Sequence, residues 1–450
     1  MQLGTLLREY ARTISGKRVI RTLFRTALGR STADANRSVQ DVVENGVSGW
    51  SLSDGNEQIA SEPQNCGAHS LGRKPRIGIA SAGRFHLLDL AREFDHLGVD
   101  VRFYSYVPRR RAERFGLRHR CHVALLPYLF PLVGMQQFFP RVFVRAIEFL
   151  MYNALDALVI MRMQRCDVFI CMSGMYLWAP RFAKWRYGAK ILLHRGSQHI
   201  LAQDDILSRL PRAQRPTQLT IRRELAGYEL ADLIVIPSKH VAKTFDKWPH
   251  LSAKLFQNIY GTDLSQFPLS STSYPDVPTV LFVGNWSYQK GVDVLVSAIE
   301  TLEAVRLIHV GTIVDAPFPE NDRFVHFAPV PQWQLREFYQ SAHVLALPSR
   351  QDGFGVVLSQ ALASGLMVVC TDRTGGPDLK EMAELTRLIR VVEVEDANGL
   401  RCALADALAD AMGKTGVPPI SAAERNILSW EGYADRHIAA LRRLGTPFAR

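Results

Sequence analysis

The sequence predicts an α/β protein of two doubly wound, Rossmann-like parallel-sheet domains that face each other across a cleft. Three observations carry that expectation. From residue 76 onward, short and nearly continuous apolar runs alternate with longer helical patterns, as parallel strands covered on both faces do. The runs fall into two sets, and 450 residues exceed what a single core ordinarily organises. Gly-rich turns follow several runs, at the strand ends where open α/β sheets bind ligands.

Taken in order, residues 3–28 space apolar side chains at helical intervals between Arg8, Arg12, Lys17, Arg18, Arg21 and Arg25. That is a basic amphipathic helix, suited to a membrane surface or simply to solvent. Residues 31–72 are rich in Ser, Asn, Gly and Asp without periodicity, the composition of a disordered linker. A first domain is expected over 73–255, with strands at RIGIA (76–80), VRFYSY (101–106), DVFICM (167–172), KILLHR (190–195) and DLIVIPS (232–238). A second is expected over 256–425, with strands at TVLFVG (279–284), RLIHVG (306–311), FVHFA (324–328), HVLALP (343–348), MVVCT (367–371) and IRVVEV (389–394). Residues 426–450 supply a terminal helix, SWEGYADRHIAALRRL (429–444), and a tail, with Trp430 as its anchor. Between the first strands, residues 138–164 form an apolar helix bearing Arg141, Arg145 and Arg162.

Composition narrows the function classes. With 47% hydrophobic and 22% charged residues, wholesale disorder, collagen and coiled coil are excluded. Cys66, Cys121, Cys166, Cys171, Cys370 and Cys402 form no CxxC pair, so neither a zinc site nor a disulfide framework is suggested and reduced intracellular thiols are expected. No run approaches the roughly 18–20 apolar residues of a membrane-spanning helix; the most apolar, LLPYLFPLVGM (125–135), is short and holds two prolines. Nor does the N-terminus read as a signal peptide. The expected location is cytoplasmic, or peripheral on the inner face of the cytoplasmic membrane. The net charge of +11 is uneven: residues 73–215 carry 24 Lys plus Arg against 10 Asp plus Glu, whereas 278–420 carry 11 against 17. A basic first half suits an anionic membrane or a phosphorylated substrate. No nucleic-acid partner is expected, because no recognition helix, finger or aromatic strand motif accompanies the charge.

Two motifs carry chemistry. In PSRQDGFGVVLSQALASG (348–365) a buried strand ends in a loop that opens a helix. Free amides near Gly353, Phe354 and Gly355 then point at whatever lies above the helix, which makes an anion site. Asp352 precedes them and Gln360 follows in the second turn, placed to bond hydroxyls on two sides of a phosphate. In LFVGNWSYQKGVDVLVSAI (281–299) a strand ends at Gly284, and the loop runs through Asn285, Lys290 and Gly291 into a helix. Lys290 is a compact charge suited to phosphate. Either motif alone is matched by a plain Gly turn or a solvated Lys.

In combination, GNWSYQKG (284–291), LPSRQDGFGVVLSQALASG (347–365) and TDRTGGPDL (371–379) resemble the retaining, metal-independent glycosyltransferases of family four, of the group 1 type. ELADLIVIPS (229–238) and NIYGTDLSQF (258–267) look like that family's domain-joining segment. The resemblance spans roughly 75–445. It implies the GT-B fold, with the C-terminal helix crossing back onto the first domain. It departs from the family at three positions: the first motif Glu is Asp352, the second is Gln360, and the diphosphate-binding Arg is Asn285.

The resemblance further implies a nucleotide-diphosphate sugar as donor, no cofactor and no metal. Gly284, Asn285, Lys290 and the turn at Gly353, Phe354 and Gly355 would hold the diphosphate, Asp352 the transferred sugar and Gln360 the ribose. A glycan or lipid-linked acceptor would meet Gly83, Arg84, His86 and His194 in the first domain. LLHRGSQHI (192–200), followed by Leu201 and with Arg195 and His199 inside it, looks like a segment found in a subset of these enzymes. There Arg195 would replace the cation missing at Asn285, and His199 would touch sugar or acceptor. The expected role is synthesis of a polysaccharide or surface glycan. Two alternatives stand beside it: a nucleotide-sugar epimerase or hydrolase, since fold does not fix function, and a degenerate glycan-binding protein.

Overall fold

The computed structural model describes residues 75–128, 144–211, 213–269, 276–382, 385–413 and 420–446. The expected helix at 3–28, the linker at 31–72, Cys66, most of 125–135 and the start of the apolar helix at 138–164 lie outside the described residues.

Two parallel sheets form the frame. The first comprises β1 (Arg76–Ala80), β2 (Asp100–Ser105), β3 (His122–Ala124), β4 (Val168–Met172), β5 (Lys190–His194), β6 (Leu233–Ile236) and β7 (Leu255–Gln257), in spatial order β3-β2-β1-β4-β5-β6-β7. The second comprises β8 (Thr279–Val283), β9 (Arg306–Val310), β10 (Phe324–Phe327), β11 (Val344–Leu347), β12 (Met367–Thr371) and β13 (Ile389–Val392), in order β10-β9-β8-β11-β12-β13. Every run expected as a strand is one. The two that the pattern missed, β3 and β7, are three-residue strands at the edges of the first sheet.

The apolar runs are continuous because helices cover both faces. β11 and β12 are buried along their whole length, and parallel strands enclosed in this way lose the polar alternation of a half-exposed sheet. In each sheet the strand order reverses once, between β1 and β4 and between β8 and β11. Such reversal points open a crevice at the carboxyl ends of the strands. The loops after β8 and β11 are the two that carry the sequence motifs.

The terminal helix Trp430–Arg443 lies against the first-domain helix Phe85–His96. It buries Trp430, Tyr433, Ala434, His437, Ala440 and Leu441, large side chains such as Tyr433 contributing roughly 1.5–3 kcal/mol each. Asn258, just past β7, ties it down: Nδ2 donates to the Tyr433 carbonyl at 3.0 Å, and Oδ1 accepts from Arg436 Nε at 2.6 Å. Gly261 leaves no space for a side chain there, since a Cβ would sit 2.6 Å from the Ser429 carbonyl oxygen. The last helix of the chain thus returns to the first domain. Among the described residues no helix is long and apolar enough to cross a membrane.

Candidate active site

The β8 loop is fixed from beneath. Trp286 is fully buried, and its indole Nε1–H donates to the Pro317 carbonyl at 2.8 Å. Its backbone bridges to the loop after β9. Gly291 has φ +68, and a Cβ there would lie 2.0 Å from the Pro348 carbonyl oxygen. The two motif loops therefore touch backbone to backbone. Arg350 fastens them further, donating to the Tyr288 carbonyl at 2.7 Å and to both Asp293 carboxylate oxygens at 2.6 and 2.8 Å.

Above this contact Lys290 and Asp352 meet, Nζ to Oδ2 at 2.5 Å. The other Asp352 oxygen accepts from the Phe354 amide at 3.4 Å. Lysine and turn amide thus converge on one negative group, the chain's own carboxylate. Phe354 is buried, with Tyr260 5.6 Å from it ring to ring and Gly375 so close that a Cβ would fall 2.1 Å from the Phe354 ring. Gly355 has φ +82 and caps the helix Val356–Ala363 without a side chain, leaving the first amides for a ligand. The turn does not open freely onto a gap, as the sequence suggested. Gly353 packs against the Gly196 carbonyl of the first domain, 1.8 Å from where a Cβ would be.

Of the expected donor residues, Gly284, Asn285, Lys290, Asp352, Gly353, Phe354 and Gly355 lie on these two adjoining loops, with Asn285 exposed. Gln360 points into the helix packing: its Oε1 accepts from the hydroxyl of Tyr339, which is fully buried, at 2.9 Å. Its amide nitrogen has no hydrogen-bond partner among the described residues.

The first-domain residues behave differently from expectation. Arg195 does not replace the missing cation. It is buried and bonds Glu224 at 2.7 Å, the Gln198 carbonyl at 2.7 Å and Gln203 Oε1 at 2.5 Å, so its charge is already matched. His199 is also committed. Its Nδ1 accepts from the Leu201 amide, capping the helix Ile200–Ser208, and its ring stacks on Trp248 at 3.8 Å. Burial, then the Arg195 charge, pushes its pKa down to about 4. His194 is buried between two other imidazoles: its Nδ1 lies 2.9 Å from His86 Nε2 and its Nε2 3.4 Å from His437 Nε2. Burial, then the charge of His437, pushes His86 down to about 3. His86 keeps part of its surface exposed and touches Tyr260 ring to ring at 4.5 Å, which links the β1 loop to Phe354. Gly83 accepts from Ser81 Oγ at 3.0 Å. Arg84 lies over the Phe115 ring at 3.7 Å, turned toward Asp89.

Sequence reasoning missed Ser238, His240, Gln198 and Gln351. Ser197 Oγ accepts from Gln351 Nε2 at 2.6 Å, and Gln198 also meets Gln351. Their signal lay in long-range contact, which no local pattern carries. Among the described residues no three His, Cys, Asp or Glu side chains are grouped to hold a metal.

Two facing parallel doubly wound sheets, with a terminal helix crossing back, define the GT-B class. Residues 277–411, with Lys290 and Asp352 among them, match the family Glycosyl transferases group 1, and the chain as a whole has the GT-B fold. The D-inositol 3-phosphate glycosyltransferase of Xylanimonas cellulosilytica is 33% identical over 138 residues, 28% of this chain and 30% of that one. The sulfoquinovosyl transferase of Arabidopsis thaliana is 30% identical over 117 residues, 24% and 22% of the two chains. The chain thus matches these relatives over less than a third of their length. In fold the likeness is wider. Sucrose-phosphate synthase from Thermosynechococcus elongatus superposes with a TM-score of 0.60 at 19% identity, over 83% of this chain and 99% of that one. Anabaena HepE in complex with UDP and glucose superposes with a TM-score of 0.55 at 13% identity, over 82% and 99%.

Proposed function

We propose that the protein is a glycosyltransferase that moves a sugar from a nucleotide-diphosphate sugar to a glycan or lipid-linked acceptor, with retention of configuration and without a metal, in the synthesis of a polysaccharide or surface glycan. The observation that carries this is the convergence of Lys290 and the Phe354 amide on one anionic group, at the reversal point of the second sheet. That group is the Asp352 carboxylate. A diphosphate takes over Lys290 and the first amides of Val356–Ala363, and Asp352 is released toward the transferred sugar. Fixed donors then stabilise the charge that develops on the leaving diphosphate, while that leaving group accepts the acceptor's proton on the same face. The acceptor enters from the first domain, beside Gly83, Arg84 and the exposed edge of His86. The basic first half, with Arg109, Arg110 and Arg114 exposed, suits a peripheral stay on an anionic inner membrane face.

A weaker second reading has a specific support. Arg195 is spent on Glu224 and Gln360 on Tyr339, so the departures at Asn285 and Gln360 are not repaired by these groups. A donor-binding protein with little turnover would look the same. Thermal shift against a panel of nucleotide-diphosphate sugars identifies the donor, because a ligand bound by the native state alone raises apparent stability. Transfer to a glycan acceptor panel then separates the readings. Turnover that Asp352→Ala reduces by roughly a hundredfold or more, as loss of one preorganised electrostatic group does, supports the transferase. Binding without turnover supports the second reading.

A further inference from the structure

The backbone carbonyls of Asp352 and Gly353 are gripped by three side chains of the first domain. His240 Nε2 lies 2.7 Å from the Asp352 carbonyl oxygen and Gln198 Nε2 lies 3.3 Å from the same oxygen. Ser238 Oγ donates to the Gly353 carbonyl at 2.7 Å. Ser238 and Gln198 are fully buried, so water does not compete for these bonds.

The geometry is self-consistent. A carbonyl oxygen has two lone pairs, and that of Asp352 takes one N–H from each nitrogen. His240 therefore carries its proton on Nε2, and its 3.1 Å approach to Gln198 Nε2 is two donors meeting at one acceptor. Each gripping residue is held by its own domain. Ser238 caps the helix Lys239–Lys243 by accepting the Val241 amide. Gln198 sits in the loop that Arg195 locks to Glu224 and Gln203. Facing them, Gly353 and Gly196 meet with no space for a side chain. From the gripped backbone the Asp352 carboxylate reaches Lys290.

We propose that Ser238, His240 and Gln198 are positioning residues: by holding the Asp352 and Gly353 carbonyls across the domain interface, they set the Asp352 carboxylate and the helix amides in working geometry when the domains close. The chemical consequence rests on the transferase reading, while the clamp itself does not.

The decisive variants are His240→Phe, which keeps a ring and loses the donor, and His240→Gln, which restores an N–H. A ligand-free readout comes from the distance between spin labels on Cys402, which is exposed, and on a Lys190→Cys substitution in the first domain, in a Cys66→Ser background. His240→Phe shifts that distance by more than about 2 Å, the scale of a domain rearrangement, and His240→Gln returns it. A residue that merely stabilised its own domain would lower the melting temperature and leave the distance alone. The second readout uses UDP: because the clamp sets the helix amides, His240→Phe is expected to bind it roughly tenfold more weakly than the wild type, and His240→Gln to recover the affinity. A distance unchanged in His240→Phe, or a shift that His240→Gln does not reverse, overturns the clamp. If UDP binds neither protein, the donor reading fails for UDP and the ligand-free distance still decides the clamp.

Discussion

Lys290 and Asp352 lie 62 residues apart in the chain and 2.5 Å apart in space. They meet because Gly291 lets one loop lie directly on the other. With φ +68 and the Pro348 carbonyl 2.0 Å from a notional Cβ, Gly291→Ala must both strain the backbone and separate the loops. It is expected to destabilise the protein by roughly 1–3 kcal/mol, read as a lower urea midpoint at unchanged slope. These two residues were legible in the sequence because strand-end glycines and the loops that follow them form a local pattern. Arg195, His194 and His199 were not. Their types suggest catalysis, yet what decides their role is burial and a partner, and Glu224, His437 and Trp248 are remote in sequence. Ser238, Gln198 and His240 were invisible for the same reason, since their contacts span 115, 154 and 112 residues.

At the scale of elements, the strands announced themselves as short, largely apolar runs of four to six residues set between helical patterns. β3 and β7 escaped because three-residue edge strands are too short for a period. The terminal helix was legible from its spacing, whereas its docking was not. His437 on that helix stacks on His194 with the rings 5.1 Å apart and 3° from parallel, and His194 in turn bonds His86. Around them stand Tyr260, Tyr433, Asn258 and Arg436, and among the described residues no carboxylate bonds the three rings. Burial pushes His437 to about 4 and His194 well below its ordinary value. The native state therefore rejects protons that the unfolded chain accepts near a pKa of about 6.5. Stability from this source is complete above that value and declines as pH falls from about 6.5 toward 4. Urea midpoints at pH 7.5 and 5.0 are expected to show the loss, and His437→Asn is expected to flatten the difference.

At the scale of the molecule, the two sheets resemble those of the GT-B neighbours over more than four fifths of this chain, and the charge asymmetry divides the labour. The proposed function gives the basic first half the acceptor and an anionic surface, and in the mildly acidic second half it rests on one cation, Lys290, at the reversal point of the sheet. The account stands on that point being where a diphosphate binds. Calorimetric titration of the wild type and of Lys290→Ala with UDP, GDP and ADP is the most direct measurement. One of the three is expected to bind the wild type and to lose roughly tenfold to hundredfold in affinity in the variant, as removal of a charge-assisted hydrogen bond does. Binding by none of them, or equal binding by the variant, would contradict it.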